Sequence, residues 1–131
     1  MKASARRENG RFRHDVKVRG HSLVADEERD HGGDDSGPSP QELLAASLAS
    51  CTAITMEMYA DRKGWDVGEL EVNVDYEPAH RGSPTKFSLV VNFPKELPED
   101  QRERLMQIAA KCPVHRTLEG EVMFDETVKL V

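Results

Sequence analysis

The fold is decided by residues 39–64, SPQELLAASLASCTAITMEMYADRKG. The Ser-Pro-Gln-Glu start at residues 39–42 is a capping box, with serine as the cap, proline at the first helical position and glutamate at the third. The end at residues 62–64 places two cations in the last turn and a glycine after it, which is typical of a helix C-terminus. We therefore predict one helix over residues 40–63, which at 1.5 Å per residue is about 36 Å long.

The middle of this helix is apolar or small nearly all round. Between Leu43 and Met58 the only charged residue is Glu57. A helix with this composition is normally buried on most of its faces, and its small residues allow other backbones to approach closely. We expect a central helix with Cys51 at its middle, and we expect a second chain to help cover it.

Alternating apolar residues predict strands on both sides of the helix. Asn9-Gly10 favours a two-residue type I′ turn before the first of them. A second helix is expected from Pro98 to the residue before Pro113, with a turn or short helix to Leu118. The predicted strands cover residues 11–19, 21–25, 69–76, 87–93 and 122–131. Strands in blocks around two helices predict an α+β fold with antiparallel sheets.

Length and charge limit the function further. The chain has 131 residues, which fits one domain over residues 1–131, and its net charge of −6 disfavours nucleic acid as a partner. The N-terminus has no apolar stretch of the kind found in signal peptides, and no run approaches 18 apolar residues, so we expect no secretion and no membrane span. With only two cysteines, a disulfide framework is excluded and a reducing cytoplasm is the expected location.

Residues 26–38 are rich in acidic residues and glycine and predict an exposed loop. Calcium binding is the functional alternative for such a loop. The spacing of its carboxylates does not match the calcium-loop pattern, which favours the loop without an ion.

Cys51 and Cys112 both lie on the apolar side of a predicted helix, where many cysteines are buried and inert. Cys112, however, precedes Pro113, and if a new turn starts there Cys112 becomes its N-cap, where free N–H groups favour a thiolate. Lys111, His115 and Arg116 add cationic or potentially cationic groups nearby. These features indicate a reactive thiol.

The position of Cys51 has the opposite effect on its reactivity. A free thiol with a pKa of about 8.5 is only ~3% ionised at pH 7, and burial in a helix raises the pKa further. Cys51 therefore needs a guanidinium from elsewhere in the fold if it is to be a nucleophile. The residue pattern alone does not identify this arginine.

A metal site is a second functional interpretation of the cysteines. Cys112 and His115 are spaced as a ligand pair and could be joined by Cys51 and another histidine. The other histidines, which are His14, His21, His31 and His80, show no ligand spacing. The pattern therefore disfavours a metal.

Three segments together resemble the OsmC/Ohr family, the osmotically inducible and organic hydroperoxide resistance proteins. They are residues 37–52, GPSPQELLAASLASCT, residues 59–65, YADRKGW, and residues 108–118, IAAKCPVHRTL. The similarity extends in order and spacing over roughly residues 15–131. The two cysteine motifs in combination make the resemblance specific.

The resemblance implies an α+β fold in an intertwined homodimer with the central helices at the interface. It also implies a thiol-dependent peroxidase that reduces organic hydroperoxides and, less well, hydrogen peroxide. Cys51 would be the peroxidatic cysteine and Cys112 the resolving cysteine, joined by a disulfide after turnover. An external dithiol, in part of the family a lipoylated protein, would reduce that disulfide, without metal, haem or flavin.

The family also holds its thiolate with an arginine paired to a glutamate. The glutamate usually lies ten positions before the reactive cysteine, where this sequence has Gln41, so Glu42 is the candidate although the capping box already explains it. Arg19 is the preferred arginine, with Arg11 and Arg13 as alternatives. This departure keeps open a divergent OsmC-like protein without peroxidase activity, which binds an apolar ligand in a dimer groove or has a structural role.

Overall fold

The computed structural model describes residues 1–131. It contains five strands and three α-helices, which confirms the predicted α+β class. In chain order they are β1 (Ser4–Arg7), β2 (His14–Val18), β3 (His21–Ala25), α1 (Pro40–Lys63), β4 (Glu71–Glu77), β5 (Lys86–Asn92), α2 (Glu99–Ala109) and α3 (Pro113–Glu119), with a 3₁₀ turn at Arg29–His31. β1, β2 and β3 form an antiparallel sheet in that order, and β4 and β5 form a second, two-stranded sheet.

The chain divides into two compact units. The first unit comprises Met1–Ala46 and Tyr76–Lys86, and the second comprises Ser47–Asp75 and Phe87–Val131. The three-stranded sheet lies in the first unit, and α2, α3 and most of α1 lie in the second.

Helix α1 has the predicted bounds, and both of its ends have the expected hydrogen bonds. Glu42 accepts from the Ser39 backbone N–H at 2.9 Å, and the Ser39 hydroxyl accepts from the Glu42 N–H at 3.2 Å. At the other end Gly64 has φ +71°, its N–H bonds to Asp61, and the Trp65 N–H bonds to Ala60 at 2.9 Å. This is a Schellman motif, which satisfies carbonyls that the helix end leaves free.

The prediction that α1 is buried on most faces is wrong for a single chain. Only one stripe is buried, with one residue per turn: Leu48, Thr52, Met56 and Ala60. On another face Ile54 is 54% and Met58 64% exposed. The apolar composition of the helix therefore exceeds what one chain covers.

The core of the second unit forms where the buried stripe of α1 meets α2. Met56, Ala60, Val67, Leu105 and Ala109 form one buried cluster. Leu105, Ile108 and Ala109 of α2 are buried as their helical spacing predicts. Partly buried side chains surround the cluster, namely Tyr59, Trp65, Leu70, Val91, Phe93 and Leu97.

Helix α2 ends earlier than predicted, at Ala109 rather than beside Pro113. The Lys111 N–H bonds to Ile108 at 2.9 Å, which closes the chain into a turn. Cys112 is extended at ψ 134°, because the ring of the following proline excludes the helical conformation there. A new helix, α3, then begins at Pro113, so the break frees Cys112 to act as its cap.

The predicted type I′ turn at Asn9-Gly10 is also wrong. Arg7 pairs with His14, so the connection is a longer loop, closed by the Glu8 N–H bonding to Arg13 at 3.1 Å. Gly10 has φ +115°, whereas Asn9 has no positive φ, and type I′ requires both. The tight turn lies instead between β2 and β3, where Val18 pairs with His21 and Arg19 has φ +55°.

The acidic loop between β3 and α1 is organised by Asp26, which is buried although we expected an exposed loop. Its carboxylate accepts from the Ser36 hydroxyl, the Ser36 N–H and the Glu27 N–H. The hydrogen bonds from Ser36 lower the pKa of Asp26. A lowered pKa stabilises the folded chain above the ordinary aspartate range, and this stabilisation is lost as the pH falls through that range.

The predicted strand at residues 122–131 is absent from the single chain. The segment has no regular secondary structure, and its large apolar side chains are exposed, Phe124 to 82% and Leu130 to 98%. A strand requires a neighbouring strand to accept its backbone hydrogen bonds, and the sequence pattern does not supply that neighbour.

We predict that Ser39→Ala destabilises the chain by about 1 kcal/mol, because the substitution removes the cap of α1. Ser50→Ala is the matched control on the same helix, where the serine hydroxyl bonds to the Ser47 carbonyl. Alanine has the higher helix propensity at an interior position, so this variant should be neutral or slightly stabilised. Urea unfolding followed by circular dichroism measures both, and equal effects would contradict the capping role.

Candidate functional site

Cys51 lies at the edge of the buried stripe of α1. It is half-buried, between the buried Thr52 and the exposed Ser50. This position gives the sulfur both a protein-lined side and partial access from solvent.

Cys112 is fully buried and caps α3. Its Sγ accepts the backbone N–H of His115 at 3.4 Å, and Pro113 occupies the first position of the helix. The N-cap role expected for Cys112 is therefore confirmed. The backbone N–H of His115 holds the sulfur of Cys112 in place, so Cys112 and Pro113 together form the start of α3.

The fold brings the two cysteines together within the second unit. Both are free thiols, and the side chain of Cys51 hydrogen-bonds with that of Cys112. Cys51 also has hydrogen bonds with the backbone of Val114 and the side chain of Thr55. The sequence pattern did not identify Val114, because a contact between α1 and the start of α3 has no local signal, whereas Thr55 lies one turn after Cys51 on α1.

The pKa of the Cys51 thiol is raised above its ordinary value. Burial is the largest cause, and the hydrogen bond with Cys112 adds to it, while the hydrogen bond with the Val114 backbone acts in the opposite direction. This is the direction expected for a cysteine in the middle of a helix. A cation is not among these leading contributions, so the immediate surroundings of Cys51 favour the neutral thiol.

The cationic groups expected around Cys112 are directed elsewhere. Lys111 and Arg116 are exposed, and the His115 ring Nδ1 lies 3.2 Å from the Glu119 carboxylate. His115 therefore has a carboxylate neighbour of its own on α3.

The candidate arginines belong to the first unit. Arg19 is exposed in the β2–β3 turn, in a left-handed conformation that is uncommon for residues other than glycine. Arg11 stacks over Phe12, with its Cζ 5.2 Å from the ring centroid. Arg13 is half-buried near Asp15, and its buried Nε has no hydrogen-bond partner.

The candidate glutamate, Glu42, is committed to the helix cap. Its pKa is lowered, mainly by the hydrogen bond from the Ser39 backbone N–H and then by the Ser39 side chain. Gln41 beside it is exposed. The capping box thus explains the presence of a glutamate at position 42, and no second role is needed to explain it.

Residues 1–131 contain no group of three or more histidine, cysteine, aspartate or glutamate side chains arranged to hold a metal ion. Cys51, Cys112 and His115 therefore do not form the ligand set considered from the sequence. Helix α1 is long and apolar enough to cross a membrane by length and composition, contrary to the expectation from apolar runs. Core helices of soluble proteins pass the same test, and the α1 stripe packs into the core of the second unit.

The chain has an α+β fold and two thiols. One thiol lies on a long apolar helix, and the other caps a short helix. These features define a class of two-cysteine proteins. The protein-family model described as OsmC-like protein matches residues 33–127 of this chain. The chain belongs to the OsmC-like family.

One relative and two solved structures are similar to this chain over most of its length. An uncharacterized protein of Haloferax volcanii is 27% identical over 97 residues, which cover 72% of this chain and 74% of the relative. A structure from Psychrobacter arcticus, described as a putative osmotic stress induced and detoxification response protein, has a TM-score of 0.79 at 21% identity and covers 89% of this chain and 87% of its own. The organic hydroperoxide resistance protein OhrB of Bacillus subtilis has a TM-score of 0.61 at 22% identity, over 91% and 90% of the two chains. These structures confirm the OsmC-like fold.

The two roles of Cys112, as helix cap and as redox partner, can be separated by substitution. We predict that Cys112→Ser keeps the cap and is more stable than Cys112→Ala by about 1 kcal/mol, because the serine hydroxyl also accepts the His115 N–H. Both variants should fail to form an intramolecular disulfide. Thermal unfolding measures the first effect and mass spectrometry after oxidation the second. Equal stability of the two variants would contradict the capping role.

Proposed function

We propose that this protein is a thiol-dependent peroxidase that reduces organic hydroperoxides, and hydrogen peroxide less well, with its cysteine pair. The observation that carries the proposal is the proximity of the two free thiols, since the Cys112 side chain interacts with that of Cys51 and helps to raise its pKa. Membership of the OsmC-like family and the fold shared with organic hydroperoxide resistance proteins support it.

The difference in burial supports the proposed roles, with Cys51 as the peroxidatic and Cys112 as the resolving cysteine. Cys51 is half-buried and accessible to a peroxide, whereas Cys112 is fully buried behind it. The Cys51 thiolate attacks one oxygen of the O–O bond, that bond breaks, and the leaving alkoxide takes a proton to become an alcohol. Cys51 is thereby oxidised to a sulfenic acid.

Cys112 is proposed to complete the cycle. Its sulfur attacks the sulfenic sulfur of Cys51, an S–S bond forms, and the hydroxyl leaves as water. An external dithiol, such as that of a lipoylated protein, returns two electrons and two protons and restores both thiols. Every step uses sulfur chemistry, and the proposal includes no metal or cofactor.

The raised pKa of Cys51 means that the first step requires an additional cation. An arginine beside a thiol stabilises the charged form and lowers the pKa. Arg19 is our first candidate, and Arg11 and Arg13 are the alternatives. Arg13 gains support from its half-buried side chain, whose Nε has no hydrogen-bond partner. Glu42 is proposed as the carboxylate that orients the arginine.

The protein is proposed to be an intertwined homodimer. Ile54 and Met58 on α1, and Phe124 and Leu130 near the C-terminus, are large apolar side chains that one chain leaves exposed. A second copy that covers the α1 face and pairs with the C-terminal segment would bury them. The redox cycle requires a supply of reductant, which favours a cytoplasmic location.

A binding or structural role without peroxidase activity is the second candidate. The raised pKa of Cys51 favours it, because a neutral thiol is a poor nucleophile. The first unit also contains an apolar cavity of about 470 Å³, lined by residues that include Phe12, Val16 and Leu43, which has room for a small apolar ligand.

A peroxidase assay separates the two candidates. We predict that the wild type consumes cumene hydroperoxide faster than hydrogen peroxide in the presence of a dithiol. Cys51→Ser should lower the rate by roughly 10³-fold, because it removes the nucleophile. Tryptic peptides of the oxidised wild type should contain a Cys51–Cys112 disulfide. Two free thiols after excess cumene hydroperoxide would exclude the peroxidase and leave the binding role.

Substitution of the arginines identifies the activating cation. We predict that Arg19→Gln slows oxidation of Cys51 at pH 7 by about tenfold or more, because loss of a guanidinium raises the thiol pKa by a unit or more. The pH profile of alkylation should move to higher pH in the same variant. Arg11→Gln and Arg13→Gln are the controls, and a larger effect in either would transfer the role to that residue.

Glu42 needs a different comparison, because it also caps α1. Glu42→Gln can still accept the Ser39 N–H, so it should retain most of the stability and yet lose activity if the carboxylate orients the arginine. If Glu42→Gln has unchanged peroxidase activity, Glu42 acts only in the helix cap and does not orient the arginine.

The dimer predicts a molar mass near twice 14.7 kDa by light scattering. Ile54→Glu and Met58→Glu should shift the protein towards monomer, because each places a charge in the proposed interface. Glu57→Gln, on the same helix, is the control. A monomeric wild type in dilute solution would contradict the dimer.

A further inference from the structure

Three cations surround one aromatic ring in the second unit, and the reaction of the cysteines uses none of them. The centroid of the Tyr59 ring lies 5.8 Å from Arg62 Cζ, 5.6 Å from Lys63 Nζ and 5.5 Å from Arg104 Cζ. Arg104 also donates from Nε to the Tyr59 hydroxyl at 3.0 Å. We call Arg62, Lys63, Arg104 and Tyr59 the cationic cluster.

None of the three cations of the cluster forms an ion pair with a carboxylate of this chain. The ion pairs within residues 1–131 are Arg13–Asp15, His31–Glu27, Lys95–Asp66 and His115–Glu119, and none includes Arg62, Lys63 or Arg104. The chain as a whole has a net charge of −6. Three like charges gathered on one ring repel one another, and an anionic partner would relieve that repulsion.

The three cations of the cluster act together on the hydroxyl group of Tyr59, whose pKa they lower. The pKa of Tyr59 is lowered, first by the hydrogen bond from Arg104 and, after an opposing effect of burial, by the charges of Arg104, Lys63 and Arg62. Trp65 packs edge-on against Tyr59 with 5.7 Å between ring centroids. Tyrosine, tryptophan and arginine are the residues that carry most binding energy in protein interfaces.

The cluster is connected to the thiols through α1. Arg62 follows Cys51 by three helical turns and lies on nearly the same line of the helix, about 16 Å further along its axis. A partner bound to the cluster is thus anchored on the helix that carries the reactive sulfur.

We propose that the cationic cluster docks an acidic segment of the protein dithiol that reduces the Cys51–Cys112 disulfide. This inference rests on the proposed function and adds the surface that selects the reductant. Separate carboxylates on a polypeptide fit three separate cations. A nucleic acid or an anionic membrane would extend beyond the cluster and meet repulsion from the rest of this acidic chain, whereas a short acidic segment can contact the cluster alone.

The electron transfer itself is two thiol–disulfide exchanges. A thiolate of the reductant attacks one sulfur of the disulfide, and the other cysteine leaves as a thiolate and takes a proton. The second thiol of the reductant then attacks the mixed disulfide and releases the remaining cysteine. Two electrons and two protons pass to the cysteine pair, and the reductant becomes a disulfide.

The test uses synthetic peptide dithiols that differ only in charge. Each contains Cys-Gly-Pro-Cys followed by six glutamates, six glutamines or six lysines, and each is mixed with protein whose cysteine pair has been oxidised with diamide. At low salt the glutamate peptide should reduce the disulfide about tenfold faster than the glutamine peptide, and the difference should vanish at high salt. Equal rates for these two peptides at low salt would overturn the proposal.

Variants assign the effect to the cluster. Arg62→Gln, Lys63→Gln and Arg104→Gln combined should abolish the preference for the glutamate peptide. Arg7→Gln, Arg81→Gln and Lys129→Gln combined change the net charge equally at exposed positions outside the cluster and should preserve it. Reduction by dithiothreitol should be the same in all proteins. If both triple variants lose the preference for the glutamate peptide equally, the three cations act only through the net charge of the protein and the cluster is not a docking site.

Charge reversal excludes a purely structural role. Arg62→Glu with Lys63→Glu should transfer the preference to the lysine peptide, which a misfolded variant would not do. Peptides with serine in place of cysteine, followed by Trp65 fluorescence, measure docking without any redox step. Because diamide makes the disulfide, a protein that fails the peroxidase assay can still be tested for docking.

Discussion

Helix α1 imposes the constraint on which the other features of this protein depend. It is a 24-residue helix whose middle holds one charge, and a single chain buries one residue per turn along it. The Ser39–Glu42 capping box and the Schellman motif at Gly64 fix its two ends, so its register cannot shift. That register decides which side chains meet the core, which meet solvent, and which lie between, as Cys51 does.

The accuracy of sequence prediction follows the range of the interactions. The bounds of α1 were predicted because capping residues act on neighbours three or four positions away. The strand at residues 87–93 was predicted to within one residue of β5 because its alternation is local. The end of α2 was wrong because Ala110 and Lys111 close a turn before Pro113 requires one. The Asn9-Gly10 turn was wrong because the pairing of Arg7 with His14 sets a longer loop. The C-terminal strand has the right pattern, but a strand also needs a neighbour that no local pattern specifies.

The same distinction holds at the cysteines. The capping role of Cys112 follows from Pro113, and the direction of the Cys51 pKa follows from its position in a helix; both were predictable. The interaction between the two cysteine side chains and the contact of Cys51 with Val114 link α1 to the start of α3. Such contacts depend on tertiary packing, which spacing along the chain does not encode. The arginine proposed to activate Cys51 would also be non-local, so the spacing along the chain does not identify it.

The reduced pair has properties that a redox cycle can use. Burial and the Cys112 hydrogen bond keep Cys51 neutral, which protects the thiol from indiscriminate oxidation at neutral pH. In the proposed cycle, a cation that reaches the sulfur determines when it reacts, and the disulfide, which carries no charge, places no ion in the buried site. Reduction requires a partner from outside, and the Arg62, Lys63 and Arg104 charges lie at the end of the same helix. Helix α1 thus carries the reacting sulfur and two of the three charges proposed to select its reductant, and its rigidity fixes the distance between Cys51 and those two charges.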